Sequence, residues 1–257
     1  MFFVVNKEKI SAYLVSVLTV IVLFITANII TTNKVNTIAT SSNPNRLLPI
    51  YNVKTNDKKV ALTMNCAWNA DDIDSILNTL KANNVNITFF MVGDWIDKYP
   101  EFAKKIYEAG NEIGSHSNTH PHVNNISKEK NAEELKLCNE KIEKITGKKT
   151  NLYRAPYGEY NNNVLQVAED EGYKTIQWNL DTLDYSGLTG EEMWNRIGDK
   201  LENGSIILSH NGTKHTADSL DMLIKNIKQK GFEIVKISDL IYDNNYKIDV
   251  NGTQIKK

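Results

Sequence analysis

Five short apolar runs in this chain each end in a chemically capable side chain, and that recurrence constrains the fold more than any other feature. Asn65 and Cys66 follow the run at 60–64, His116 follows 111–115, Arg154 follows 151–153, Asp181 follows 176–180 and His210 follows 206–209. Strand patterns are expected at 59–64, 86–92, 112–114, 152, 174–178, 205–208 and 233–235. Helical patterns fall between them, at 71–82, 99–109, 128–146, 162–171, 190–201 and 217–230, with a last short helix at 237–241. Gly110, Gly147 and Gly172 stand where helices end in a left-handed residue. Repeated β-α units imply a parallel sheet, and about seven of them nearly close a barrel. An open doubly wound sheet gathers its site in one crevice. Candidates on five strand ends fit the mouth of an α/β barrel better.

The densest chemistry is HSNTH at 116–120. His116 and His120 are four apart, so both imidazoles can face one point and share a divalent metal. The near-zero net charge of −1 gives no reason to expect a nucleic-acid partner. No glycine-rich phosphate loop calls for a nucleotide cofactor. Cys66 and Cys138 are the only cysteines and do not make a disulfide framework. Cys138 shares a helical face with Leu135, Ile142 and Ile145 and reads as core.

The amino terminus sets the compartment. Lys7 and Lys9 precede 21 uncharged residues, 10–30. At about 1.5 Å per residue that span crosses a hydrocarbon core. Basic residues on its near side put 1–9 in the cytoplasm and the remainder outside. No good cleavage site follows, so an uncleaved signal anchor in the cell membrane is expected. Residues 31–57, rich in Thr, Asn and Ser, read as an extracellular stalk, and 243–257 as a polar tail. The folded domain is then 58–242.

Within that domain the order of motifs resembles the NodB-homology polysaccharide deacetylases, carbohydrate esterase family 4, especially the membrane-anchored deacetylases of spore-forming Gram-positive bacteria. VALTMNCAW (60–68) stands where the family has a strand ending in TFDDG, and ITFFMVG (87–93) matches its second strand. AGNEIGSHSNTH (109–120) matches the metal motif, RAPYG (154–158) the third, DTLDY (181–185) the fourth and LSH (208–210) the fifth. The resemblance implies a distorted (β/α)7-type barrel that removes acetyl groups from amino sugars of peptidoglycan or a related glycan polymer. It implies a divalent metal, zinc by its ligand types, held by His116 and His120. It also implies His210 as general acid, Asp184 orienting it, Arg154 paired with the base, and Asp181 in the same catalytic set. Tyr157 would offer a backbone N–H to the oxyanion, and Tyr185 and Leu208 would wall the acetyl pocket.

The first motif departs from the family. Asn65 occupies the base position and cannot accept a proton at neutral pH. Cys66 occupies the position of the third metal ligand. Two replacements stay open: the Cys66 thiolate, or Asp72 at the start of the first helix, an aspartate that relatives with a Cys-Ala-Trp stretch keep at that spacing. Asp72 as a helix-end charge and Cys66 as a buried filler are the plainer alternatives. Weak deacetylation is therefore expected. A catalytically impaired glycan binder and a tethered envelope protein are the competing functions.

Overall fold

The computed structural model describes residues 46–257. The expected cytoplasmic segment, membrane span and most of the stalk lie outside the described residues. Among those described, no helix is long and apolar enough to cross a membrane.

β2 (Lys59–Cys66) is the axis of the domain. It pairs in parallel with β3 (Thr88–Met91) on one side and with β8 (Ile206–His210) on the other. The sheet continues outward through β4 (Glu112–Ser115), β5 (Leu152–Tyr153) and β6 (Lys174–Thr175), and on the far side through β7 (Leu180–Asp181). β9 (Glu233–Val235) joins the start of β2. The order is β6-β5-β4-β3-β2-β8-β7, an α/β curled parallel sheet whose two edges, β6 and β7, are not paired with each other.

Strand parity divides the core. Val60, Leu62, Met64 and Cys66 point outward into a cluster with Ile73, Ile76, Trp95 and Ile224. These outer partners lie on α1 (Ile73–Ala82), α2 (Gly93–Lys98) and α7 (Thr216–Gln229). α7 shows the cause: its buried Leu220, Leu223, Ile224 and Ile227 recur at one-turn spacing. Ala61 points inward and shares a second cluster with Phe90, Leu152, Ile176 and Ile206. Gly114 is required there, because a Cβ would stand 2.6 Å from the Phe90 ring. The remaining helices are α3 (Pro100–Glu108), α4 (Lys128–Thr146), α5 (Asn162–Asp170), α6 (Gly190–Ile197) and α8 (Ile237–Leu240). Ser127 caps α4 by accepting from Lys130 N, and Gly147 closes it at φ 71°.

Two boundaries differ from the sequence expectation. The segment assigned to the end of the stalk enters the seam of the sheet: Ile50 is buried, bridges to Ile176 and donates its N–H to the Thr175 carbonyl. β1 (Asn52–Val53) then pairs with β11 (Thr253–Lys256), which runs antiparallel to β10 (Tyr246–Ile248). The expected tail is thus a hairpin in a small three-stranded sheet. Its polar sequence hid it, because backbone ladders and the buried Gln254 amide, bonded both ways to the Tyr242 backbone, hold it in place of an apolar face.

Candidate active site

Parallel register brings the expected residues to one rim. Asn65 and His210 are paired Cα partners at the ends of β2 and β8. His116 and Arg154 each come one residue after the paired Ser115 and Tyr153, at the ends of β4 and β5.

Arg154 forms the floor. Its guanidinium is fully buried and lies 4.2 Å from the Phe90 ring centroid and 5.5 Å from that of Trp178. Nη1 donates to Thr63 Oγ1 at 2.8 Å and to Asn65 Oδ1 at 3.1 Å. Nε donates to the Ile176 carbonyl at 3.3 Å and Nη2 to the Gln177 carbonyl at 3.1 Å. The side chain has therefore replaced a carboxylate partner by neutral acceptors. Burial pulls its pKa down to about 9 and the nearby Asp181 charge pushes back, so Arg154 stays charged at neutral pH. A guanidinium has only donors, so Asn65 must turn its oxygen inward and keep its NH2 as the remaining group. The base position holds a donor.

His116 is buried, and its Nδ1–H donates to the Arg154 carbonyl at 2.7 Å, which leaves Nε2 as the free lone pair. Its ring centroid is 4.9 Å from that of His120. Desolvation first, and then the neighbouring His120, hold His116 well below the usual imidazole range. Desolvation likewise lowers His120. Both are neutral at pH 7 and suited to ligate.

The structure does not bring either expected third ligand to this pair. Cys66 shares the outward parity of Met64 and is wholly buried among apolar side chains. Burial, then the Asp72 charge, push its thiol well above the usual range, so it is protonated at neutral pH. Asp72 instead accepts from Gly212 N at 2.7 Å and Asn211 Nδ2 at 3.2 Å, tying the loop after β8 to the loop after β2. It makes no side-chain cap on α1 either. Among the described residues no three His, Cys, Asp or Glu side chains are grouped to hold a metal. A catalytic zinc takes three protein ligands, so the donor set present does not fit one.

His210 is complete by contrast. Its Nδ1–H donates to Asp184 Oδ1 at 2.8 Å, and its backbone N–H to Oδ2 at 2.6 Å. Asp184, with no exposure, also accepts from Tyr185 N at 2.9 Å and Thr216 Oγ1 at 2.7 Å. His210 Nε2 is thus left for chemistry in a fixed orientation. Asp181 does not bond Arg154; it accepts from Leu183 N at 2.8 Å and so turns the loop that delivers Asp184. Leu208 is buried on the inward parity of β8, below His210.

Half-exposed aromatic rings rim the mouth. Tyr157 packs edge-on to His120 at 4.6 Å and stacks on His122 at 4.2 Å. The exposed His122 ring is held there by Glu159 Oε1 at 2.7 Å. Ser117, His120, Tyr157 and Leu183 all take positive φ, between 53° and 65°. Non-glycine residues in that region carry about 1–3 kcal/mol of strain each and concentrate at functional sites.

One supporting residue was not anticipated. Glu134 of α4 is buried and accepts from Asn118 N at 2.9 Å, Thr119 N at 2.7 Å and Thr119 Oγ1 at 3.0 Å. It pins the loop between the two histidines. The signal in the sequence was an acid on the apolar stripe of α4, with Asn131, Leu135, Cys138 and Ile142.

The polysaccharide deacetylase family model matches residues 52–176. A solved carbohydrate esterase family 4 pseudoenzyme from Bacillus anthracis superposes with a TM-score of 0.72 at 34% identity, over 75% of this chain and 68% of that one. The chain belongs to the polysaccharide deacetylase family. The Bacillus subtilis protein YlxY is 33% identical over 75% of this chain, which spans 60% of that relative's length. A peptidoglycan-N-acetylglucosamine deacetylase of Bacillus cereus is 29% identical over 72% of this chain and 69% of its own. A mutant of the Bacillus anthracis pseudoenzyme is described as having restored enzymatic activity.

Proposed function

We propose that this family member is a slow N-deacetylase of N-acetylated amino sugars in peptidoglycan or a related wall polymer. The observation that carries the reading is the His210–Asp184 pair, a positioned proton donor with its charge partner, at the rim of the barrel. Breaking the amide requires a water to add to the acetyl carbonyl and the amine to leave with the bonding electron pair. His210 Nε2–H gives the nitrogen its proton as the C–N bond breaks, and Asp184 holds the ring oriented. The water's proton has no acceptor at Asn65, whose oxygen is engaged by Arg154, and passes to bulk solvent instead. Addition is the slow step. The test is to incubate the full chain with purified peptidoglycan and follow free amino groups. A slow, protein-dependent rise supports the reading, and none at all sinks it.

A second reading, a glycan binder without turnover, is favoured by the donor at the base position and by likeness to a pseudoenzyme. Peptidoglycan binding without amine release selects it.

His116 and His120 support a divalent ion, zinc by ligand type, only as a two-nitrogen site. Zinc titration with a fluorescent competitor should give weak, micromolar or poorer binding that disappears in the His116→Ala/His120→Ala double variant. Tight stoichiometric binding, or equal binding by both proteins, contradicts this.

Lys7 and Lys9 before the uncharged 10–30 segment favour an anchor with the domain outside the cell membrane. Protease added to wall-stripped cells should digest the domain; full protection rules the orientation out.

A further inference from the structure

We propose that Trp68 is a sugar-stacking platform that orients the glycan against His210. The His210 side chain is only 13% exposed, so a substrate reaches it through a narrow approach. Two rings flank that approach: Trp68 at 5.3 Å between centroids, tilted 31°, and Tyr185 at 5.4 Å, perpendicular. Trp68 is 49% exposed and Tyr185 52%, which makes them two of the four large apolar side chains that stand out among the described residues. An indole left this open forgoes much of the apolar burial available to it. The backbone next to it is tied down. The adjacent Asn69 carbonyl accepts from Trp95 Nε1 at 3.0 Å and from Asn211 Nδ2 at 2.6 Å, which fixes the loop just beyond Trp68. An exposed indole on a tied loop, beside a proton donor, presents a flat apolar face at the reacting bond.

The chemistry that matches that face is a pyranose ring. Its axial C–H groups form an apolar side that lies on an aromatic plane, while its hydroxyl and acetamido groups project from the edge. The acetamido nitrogen would then face His210. This inference rests on the deacetylase reading of the site.

The test uses the full chain with tetra-N-acetylchitotetraose as probe and titration calorimetry as readout. Trp68→Ala should weaken Kd roughly five- to tenfold, within the range for one aromatic contact. Trp68→Phe should recover most of the affinity, because stacking needs a ring and not an indole N–H. Urea midpoints of both variants should match the parent, since the side chain is half exposed. Binding by the parent with an unchanged Kd in Trp68→Ala overturns the platform and leaves the site reading intact. A Kd raised in both variants alike overturns it too, as does a shifted urea midpoint that accounts for the loss. Absence of glycan binding by the parent overturns the site reading, and the platform with it.

Discussion

Asn65→Asp should raise kcat for N-acetyl release by at least about tenfold, a conservative floor beneath the roughly 10²- to 10⁴-fold that positioned bases typically contribute. The substitution exchanges an amide that turns its oxygen to Arg154 for a carboxylate with a second oxygen to spare. One oxygen keeps the 3.1 Å contact to Nη1, now as a charge-assisted bond, and the other is free to take the water's proton. A tenfold gain corresponds to about 1.4 kcal/mol of barrier. The variant should fold at least as well as the parent, because the buried guanidinium gains a counter-charge. Steady-state kinetics on a chito-oligosaccharide checks this. Lower or equal kcat in Asn65→Asp would mean that water activation is not what limits this site.

The largest expected loss of stability is at Asp184. The carboxylate has no exposure and serves four donors: the His210 ring, the His210 and Tyr185 amides, and the Thr216 hydroxyl. Asp184→Ala leaves all four unanswered in a site closed to water. Removing one member of a buried, hydrogen-bonded pair typically costs about 3–5 kcal/mol. Urea unfolding should show a loss in that range, with amine release at the buffer rate. Thr216→Val removes a single donor, and its loss should be about 1 kcal/mol. A loss below about 1 kcal/mol in Asp184→Ala contradicts the structural role given to this carboxylate.

Much of the fold was legible because its periodicities are strong. The long helix α4 runs over the residues its pattern and Gly147 dictated, and β9 likewise. α2 was missed because Gly93 opens it and Pro100 follows it closely, which masks a short helix with buried Trp95 and Ile96. β1, β10 and β11 were missed for another reason: they are two to four residues long and carry no apolar run, so backbone pairing and not apolar patterning defines them.

The site was legible where a residue's place follows from its strand. Asn65, His116, Arg154 and His210 all sit at the strand ends that their apolar runs implied. Cys66 shows the limit of reading by motif position. Its even spacing from Val60, Leu62 and Met64 already assigned it to the outward apolar face, and that parity outweighs its place in the motif. Asp72 could not be resolved from sequence, since its partners Asn211 and Gly212 lie some 140 positions away. Glu134 acts over a shorter separation, yet through a loop whose path the sequence does not specify.

We propose that this rim hydrolyses N-acetyl groups slowly, with His210 as the proton donor and no base at Asn65. Acetate release from N-acetylated peptidoglycan, measured for the parent chain and for His210→Ala under the same conditions, tests it most directly. The parent should release acetate slowly, above the buffer rate, and His210→Ala none above buffer. Equal release by the two proteins, or none by either while peptidoglycan remains bound, would contradict it.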